Sequence, residues 1–486
     1  MVPRREWTTF DEMAVRLGTV RDVLSRALKT LETEGLLIES NLAGRDGESW
    51  FGAVIDTRSE CANRIFFALR GETTDGHRFA GEAHEKGCRA LVVADSETAA
   101  GLARGGIPFF RVRGPLEALQ ELSRRYIRGL DARVVAVTGS MGKTTTKEYI
   151  RGVLRKKYNV HTNSGNLNNH IGVPLTVLDT DQDTEYLVCE IGANHTGEIE
   201  FLSRLLRPDI GVVTNIGEAH IGYFGGRDKI AEAKSEIFAG VDAEGYAVLP
   251  ADDDYFEMLR SKAVCRVVSF GGADSATYRI SGVTEDEGRF RFEINGREME
   301  LGTVGAYNVA NAAAAYAVGE LCGVEPERIH EALTEAEAIP GRAKVYRGKG
   351  VVLVDDSYNA NPTSMRAALD SFSRLKAARR IAVLGDMGEL DGFSDDAHRE
   401  LGGYAARQPL DTLIWYGENA GLVGEGFSRD KTGKRVRPYT NIADLIRDLR
   451  NEIRAGDAVL VKGSRACHLD KVVNGLLETV LEEDRR

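Results

Sequence analysis

The sequence predicts an α/β protein of three units behind a short helical segment. Three observations carry that expectation. The 486 residues suffice for about three units at the usual ~150 residues each. Apolar strand patterns alternate with helical ones over most of the chain, as parallel sheets require. The stretch "VVAVTGSMGKTTTKEY", Val134 to Tyr149, reads as a strand, a glycine-rich loop and the start of a helix.

Composition narrows the class. With 42% hydrophobic and 28% charged residues the chain belongs among soluble globular proteins. A net charge of -11 gives no overall attraction to nucleic acid or an anionic membrane, so an anionic substrate needs a local cluster of positive groups. Cysteines stand at 61, 88, 189, 265, 322 and 467, with no metal-ligand spacing, which predicts reduced thiols in the cytoplasm. No apolar run reaches the ~18 residues of a membrane span, and the N-terminus lacks a signal-peptide pattern.

Residues 1–40 contain "FDEMAVRLGTVRDVLSRALKTLETEGLLIES", whose apolar spacing predicts a helix, a turn at Gly18 and a second helix closed by Gly35. The segment resembles the helix-turn-helix of catabolite-activator-type regulators, in which "TVRDVLSRALKTLE" would lie in the major groove. Six Lys/Arg against seven Asp/Glu suit phosphate contact poorly. A fused remnant, or a helical cap that merely packs, is the preferred reading over DNA binding.

Residues 41–128 form the next unit, with strands expected at "AVIDTRS", "RIFFALRG" and "RALVVAD" and a helix at "HRFAGEAHEKG". Residues 129–339 follow, with strands at "RVVAVTG", "EYLVCEIG" and "DIGVVTNIG". "IPGR" marks a boundary, and residues 340–486 carry strands "VVLVDDSY", "RIAVLGDM", "TLIWYG" and "AVLVKGS".

The loop chemistry is specific. Gly139 and Gly142 let backbone N–H groups approach phosphate oxygens, and the helix that follows presents its positive end to an anion. Lys143 reaches the outer phosphates and the Thr144 hydroxyl suits Mg²⁺. Only Ser140 and Met141 separate the glycines, two residues where the common pattern has four. Glu190 ends an apolar strand, where ligands bind in open α/β sheets; a capping or solvated carboxylate is the alternative. His220 follows another strand, a place equally suited to a structural histidine. Lys234 sits on a helix, where a surface lysine is the simplest expectation.

G-x-x-G-K-T followed by Thr145 resembles the ATP loop of the Mur ligases and folylpolyglutamate synthetases, which are amide-bond-forming ATPases. "VVLVDDSYNANPTSM", "LGDMGELDGFSDDAH", "TNSGNLNNHIGVPLTVL" and "DTRSECANRIFFALRGETTDGHRF" are similar to the Mur-ligase branch that adds D-alanyl-D-alanine. The resemblance spans about residues 45–480 and departs at 1–40 and at Ala62-Asn63, where a Pro-Gly turn is expected. It implies a sugar-peptide-binding domain, a central ATPase domain and a C-terminal Rossmann-like domain. It implies ATP and two Mg²⁺ ions as cofactors, with UDP-N-acetylmuramoyl-tripeptide and D-alanyl-D-alanine as substrates; with no obvious dimer seam in the sequence, a monomer is expected.

Residue by residue, the resemblance places Gly139, Ser140, Met141, Gly142, Lys143, Thr144 and Thr145 on the ATP phosphates, and Asn308 and Asn311 at adenine. Arg342 would meet phosphate and Asp356 the ribose. Glu190 with Thr144 would hold one Mg²⁺; His220 and a carbamylated Lys234 would hold the second. Lys143, His220 and Lys234 form the implied catalytic set. Thr57 and Arg58 would face the uridine or diphosphate. Asn163, Asn166 and Asn169 would line the sugar-peptide path, and Tyr358, Asn359 and Asn361 would sit beside the reacting carboxylate or dipeptide. A folylpolyglutamate-type ligase and a nucleotide-regulated DNA-binding protein are the competing readings.

Overall fold

The computed structural model describes residues 24–42, 44–286, 289–302, 305–428 and 436–481. Three sheets organise it. The first comprises β1 (Leu37–Asn41), β2 (Ala53–Val54), β3 (Ile65–Phe67), β4 (Ala90–Val93) and β5 (Phe109–Val112), in the order β1-β5-β4-β3-β2. β2 to β5 run parallel, and β1 adds antiparallel to the edge of β5.

The proposed first helix of the N-terminal segment lies outside the described residues. The second is observed as Leu24–Thr33, and Gly35 ends it at φ 66, with the Leu36 N–H returning to the Leu31 carbonyl at 2.9 Å. Ala27 and Leu31 are buried in the core of the first unit, with Trp50, Leu119 and Leu122. The described part of the segment therefore packs as a helical cap. Together with β1 it continues the first unit, whereas the sequence reading set residues 1–40 apart. The expected strand "AVIDTRS" stops at Val54, and Asp56, Thr57 and Arg58 lie in the turn beyond.

The central sheet comprises β6 (Arg133–Thr138), β7 (Val160–Thr162), β8 (Tyr186–Glu190), β9 (Ile210–Val213), β10 (Tyr246–Pro250), β11 (Arg266–Gly271), β12 (Tyr278–Asp286), β13 (Arg289–Ile294) and β14 (Arg297–Leu301). Its order is β14-β13-β12-β11-β10-β9-β6-β8-β7. From β7 to β12 all neighbours are parallel, whereas β12 to β14 form an antiparallel extension. Alternating strands and helices did not predict that extension. Its signal is the Asn295-Gly296 pair, at φ 51 and 75, where both central residues of a tight hairpin turn need positive φ.

The Ala-rich helix Tyr307–Leu321 packs against the helix Lys143–Arg155 and the sheet, and Ala312 to Ala315 are fully buried. Small side chains permit that close approach. Arg64 of the first unit pairs with Asp179 of the central one, and Leu175 and Leu178 enter the first unit's core.

The third sheet comprises β15 (Lys344–Gly348), β16 (Val351–Asp356), β17 (Arg379–Gly385), β18 (Thr412–Tyr416), β19 (Val436–Tyr439) and β20 (Asp457–Lys462). The order is β15-β16-β20-β17-β18-β19, parallel except for β15. No helix among the described residues is long and apolar enough to cross a membrane.

Candidate active site

The glycine-rich loop leaves β6 between β8 and β9. Val137 registers with Glu190 on one side and Thr138 with Val213 on the other. Both neighbours thus deliver their last residues to the loop, as the carboxyl edge of an open sheet does. Gly139 and Gly142 have φ of 144 and 80. A Cβ on Gly139 would lie 1.9 Å from Thr214 Oγ1, and one on Gly142 would lie 2.5 Å from Asn311 Oδ1. No other residue fits either place.

The loop is braced from β9. Ser140 N donates to the Asn215 carbonyl at 3.0 Å, and Met141 N donates to Asn215 Oδ1 at 3.1 Å. Thr214 Oγ1 and Asn215 Nδ2 donate to the Met141 carbonyl at 2.6 and 3.1 Å. Lys143 Nζ donates to the Gly139 carbonyl at 2.8 Å. Burial pulls the Lys143 ammonium below the usual lysine range; Glu190 and Glu389 oppose the shift, and Arg342 adds to it.

Glu190 is 3% exposed. Thr144 Oγ1 donates to its Oε2 at 2.6 Å, and Asn168 Nδ2 to its Oε1 at 2.8 Å. Asn163 grips its main chain: Nδ2 donates to the Glu190 carbonyl at 2.9 Å, and Glu190 N donates to Asn163 Oδ1 at 3.0 Å. The buried Lys147 Nζ donates in turn to the Asn163 carbonyl. Asn163 is therefore a buried support for Glu190 and no part of the cavity wall, a correction to its expected place on the substrate path. Asn166 and Asn169 do line the cavity, and Asn169 Oδ1 also accepts from Gly172 N at 2.9 Å.

His220 follows β9 at φ 61. Its Nδ1 lies 2.6 Å from Oε2 of Glu389, which the third unit contributes. The ring N–H is poorly aligned on that oxygen, so the contact is electrostatic before it is directional. Lys234 is 0% exposed, and its Nζ has no hydrogen-bond partner; the Phe224 ring lies 5.7 Å away. Burial pushes this amine down to about 7, and nearby Lys143 adds to the shift.

The opposite wall belongs to the third unit. Asp356 ends β16 and Lys462 ends β20, in register, so their side chains pair at 2.7 Å. Burial raises the Asp356 carboxyl, and Lys462 opposes the shift. The neighbouring Asp355 accepts from Gly341 N at 2.7 Å and Ser357 Oγ at 2.6 Å. This ties the turn before β15 to the turn after β16. Arg342 lies 4.2 Å above the Tyr358 ring. The Asn359 carbonyl accepts from Lys462 Nζ at 3.0 Å. Asn361 caps the helix Pro362–Arg374 by accepting from Ser364 N at 2.8 Å.

Between these walls lies a cavity of about 430 Å³, within the range of small-ligand sites. The loop from Ser140 to Thr145, Glu190 and His220 form one side; Arg342, Asp356, Tyr358, Asn359 and Asn361 form the other. Six expected residues besides Asn163 stand apart from the lining. Gly139 lies beneath the loop, and Lys234 is buried behind it. Asn308 and Asn311 are buried, with Asn311 Nδ2 donating to Asn308 Oδ1 at 3.0 Å, and Asn311 abuts Gly142 while neither lines the cavity. Thr57 and Arg58 sit in the first unit; Thr57 is buried, and Arg58 forks onto Asp56, whose carboxyl it holds down at about 2.

The sequence reading missed Asn168, Tyr307, Glu389 and Lys462, all of which line the cavity, and the braces Thr214 and Asn215. Lys462 had a usable signal: it ends an apolar strand, as Glu190 does. Glu389 had none, because only the packing of the third unit on the second brings it to His220.

Among the described residues no group of three His, Cys, Asp or Glu side chains could hold a metal ion. The oxygens of Thr144 and Glu190 nevertheless suit a hard divalent cation. His220 with an anionic derivative of Lys234 would suit a second. The unpartnered amine makes Lys234 a fitting residue for such a change.

Comparison with known proteins places this architecture. Residues 137–319 match the Mur ligase middle domain, and residues 341–465 match the family described as Mur ligase, glutamate ligase domain. The UDP-N-acetylmuramoyl-tripeptide–D-alanyl-D-alanine ligase of Bacillus subtilis (strain 168) is 35% identical over 459 residues, 93% of this chain and 99% of its own. The enzyme of that name from Escherichia coli (strain K12) is 34% identical over 436 residues, 87% of this chain and 93% of its own. A crystal structure of MurF from Acinetobacter baumannii superposes with a TM-score of 0.81 at 30% identity, over 93% of this chain and 98% of that one. MurF from Thermotoga maritima, solved in complex with ADP, gives 0.76 at 28% identity, over 88% and 97%. The chain therefore belongs to the Mur ligase family, in its UDP-N-acetylmuramoyl-tripeptide–D-alanyl-D-alanine ligase branch.

Proposed function

We propose that the chain uses ATP to join D-alanyl-D-alanine to UDP-N-acetylmuramoyl-tripeptide, in the cytoplasmic synthesis of peptidoglycan precursors. One observation carries the reading. The phosphate loop with Glu190 and the 355–361 segment of the third unit face each other across a single cavity. A nucleotide phosphate and an acyl acceptor would meet there.

The tripeptide's terminal carboxylate attacks the γ-phosphorus of ATP, the bond to the β-γ bridging oxygen breaks, and ADP leaves. The acyl phosphate so formed is attacked by the amine of D-alanyl-D-alanine, and a tetrahedral intermediate expels inorganic phosphate. The first step brings two anions together, so its barrier is largely charge repulsion. Lys143 and the positive end of the helix Lys143–Arg155 offset it. Thr144 with Glu190, and His220 with a Lys234 carbamate, would hold two Mg²⁺ ions, which would supply further charge neutralisation.

Lys234 is suited to that modification. The neutral amine attacks CO₂, an N–C bond forms as one C=O electron pair moves onto oxygen, one proton leaves to solvent, and an anionic carbamate replaces the neutral amine. Arg342 and the Asp356–Lys462 pair, on the wall opposite the loop, bind the phosphate and ribose of the nucleotide. Tyr358, Asn359 and Asn361 flank the dipeptide, Asn166 and Asn169 the sugar-peptide. Thr57 and Arg58 hold the UDP end in the first unit, where the exposed guanidinium suits a diphosphate. With the reactants held in line, positioning supplies ~7–11 kcal/mol of the barrier.

The test is ADP release by purified protein with UDP-N-acetylmuramoyl-tripeptide, varying the acceptor. Release that requires D-alanyl-D-alanine is expected. Absence of nucleotide consumption with all three ligands and magnesium present overturns the reading, and release driven by a glutamate acceptor and folate points to the folylpolyglutamate-type ligases.

A further inference from the structure

The loop that carries His220 is gripped by the third unit on both sides of the histidine. Before it, Glu218 N donates to Thr363 Oγ1 at 3.3 Å, Thr363 Oγ1 donates to Glu218 Oε2 at 2.9 Å, and Arg366 pairs with the same oxygen. After it, Gly222 N donates to the Glu389 carbonyl at 3.1 Å. A Cβ on Gly222 would lie 2.8 Å from the Leu390 carbonyl carbon and 2.9 Å from Asp391 N, so the two backbones touch. Between these grips the Glu389 carboxylate meets His220 Nδ1, and both residues line the cavity. Glu389 holds φ 60 and His220 φ 61, a region non-glycine residues enter at a cost and keep only when their surroundings impose it.

We propose that Glu389 is a positioning residue for His220: the third unit supplies the carboxylate that aims the imidazole of the central unit at the second cation. This inference rests on the reading of His220 as a ligand of that cation. A carboxylate beside one ring nitrogen leaves the other free to bind metal, and its charge draws the ring into place and makes it a stronger donor. Because Glu389 follows β17 of the third unit, the second cation position is complete only when that unit is docked on residues 217–224. Docking and cation binding therefore favour one another, and each strengthens the other by the same factor. An acyl phosphate is then formed only where the walls that exclude water are already in place.

The experiment uses the full chain with a non-hydrolysable ATP analogue and Mn²⁺ as the paramagnetic probe, in bicarbonate-containing buffer. Wild type should bind two ions. Glu389→Gln should still bind two at saturation, the second weakened roughly 10- to 100-fold, with the Mg²⁺ concentration for half-maximal turnover moved by the same factor. Glu389→Asp, which keeps the carboxylate, should fall between and guards against a folding defect in the first variant. Unchanged second-ion affinity in Glu389→Gln, alongside weakening in His220→Ala, overturns the inference and spares the reading beneath it. Unchanged affinity in His220→Ala removes that reading and the inference with it. Loss of one ion from the count in Glu389→Gln makes Glu389 itself a ligand, which also overturns the positioning role.

Discussion

At the Glu190 corner of the cavity both carboxylate oxygens have partners, from Thr144 and Asn168, and Asn163 pins the main chain on either side. At the Lys234 corner, set behind the lining, a fully buried amine has none, and His220 on the lining leans on a carboxylate from another unit. The first corner is made from adjacent ends of one sheet and is finished when the sheet folds. On the proposed mechanism the second would need a chemical change at Lys234 and an approach by the third unit. The difference separates what secondary structure can prearrange from what must be completed later, and the later corner is the natural place for control.

The largest effect should come from the finished corner. Glu190→Ala should lower turnover by about 10³-fold, the scale of several kcal/mol of lost charge stabilisation, with no response to added carboxylates. Near-normal turnover would break the comparison at its stronger side.

Lys234→Ala should cost less, about 10²-fold, because Lys143 and the Thr144–Glu190 corner stay in place. Formate or acetate at high concentration should recover part of the rate, and wild type should lose activity on exhaustive removal of CO₂. A variant indifferent to both the substitution and the anions would leave the second corner without its missing anion.

The third effect is on stability. Burial holds the Lys234 amine at about 7 in the folded chain, against an ordinary lysine value of 10.5. Between those values the unfolded chain binds more protons, so this residue makes stability rise with pH from about 7 to about 10.5. The penalty is full below pH 7. In CO₂-free buffer the melting midpoint of wild type should climb relative to Lys234→Met across that window; parallel curves would mean the amine is stably paired or hydrated.

The smallest effect should come from the docking contact beside His220. The Glu218–Arg366 pair is partly exposed, so Glu218→Ala should cost about 1 kcal/mol or less and be muted by salt. Calorimetry at low and high ionic strength reads it. A loss of several kcal/mol would show that the third unit is held far more tightly than the second corner requires.

Legibility in the sequence followed the same division. The phosphate loop and Glu190 were readable because strand, glycines, lysine and strand-end carboxylate are local features. The "NSGNLNN" run announced a polar loop, but which asparagine turns inward depends on its path past β8. Asn163 went to the core and Asn168 to the carboxylate, the reverse of expectation for the first and unforeseen for the second. Asn311 likewise abuts the loop at Gly142, with Asn308 bonded behind it, because the Ala-rich helix packs closely there. Glu389 became legible only through the docking of one unit on another, a relation no local pattern encodes.

β1 is the outermost strand of the first sheet, laid antiparallel along Phe109–Val112. Trimming the polypeptide past Asn41 would bare that row of N–H and C=O groups and uncover the apolar seat of Ala27 and Leu31. A naked rim of this kind recruits strands from other molecules, so a shortened version should clump during expression long before its chemistry could be assayed.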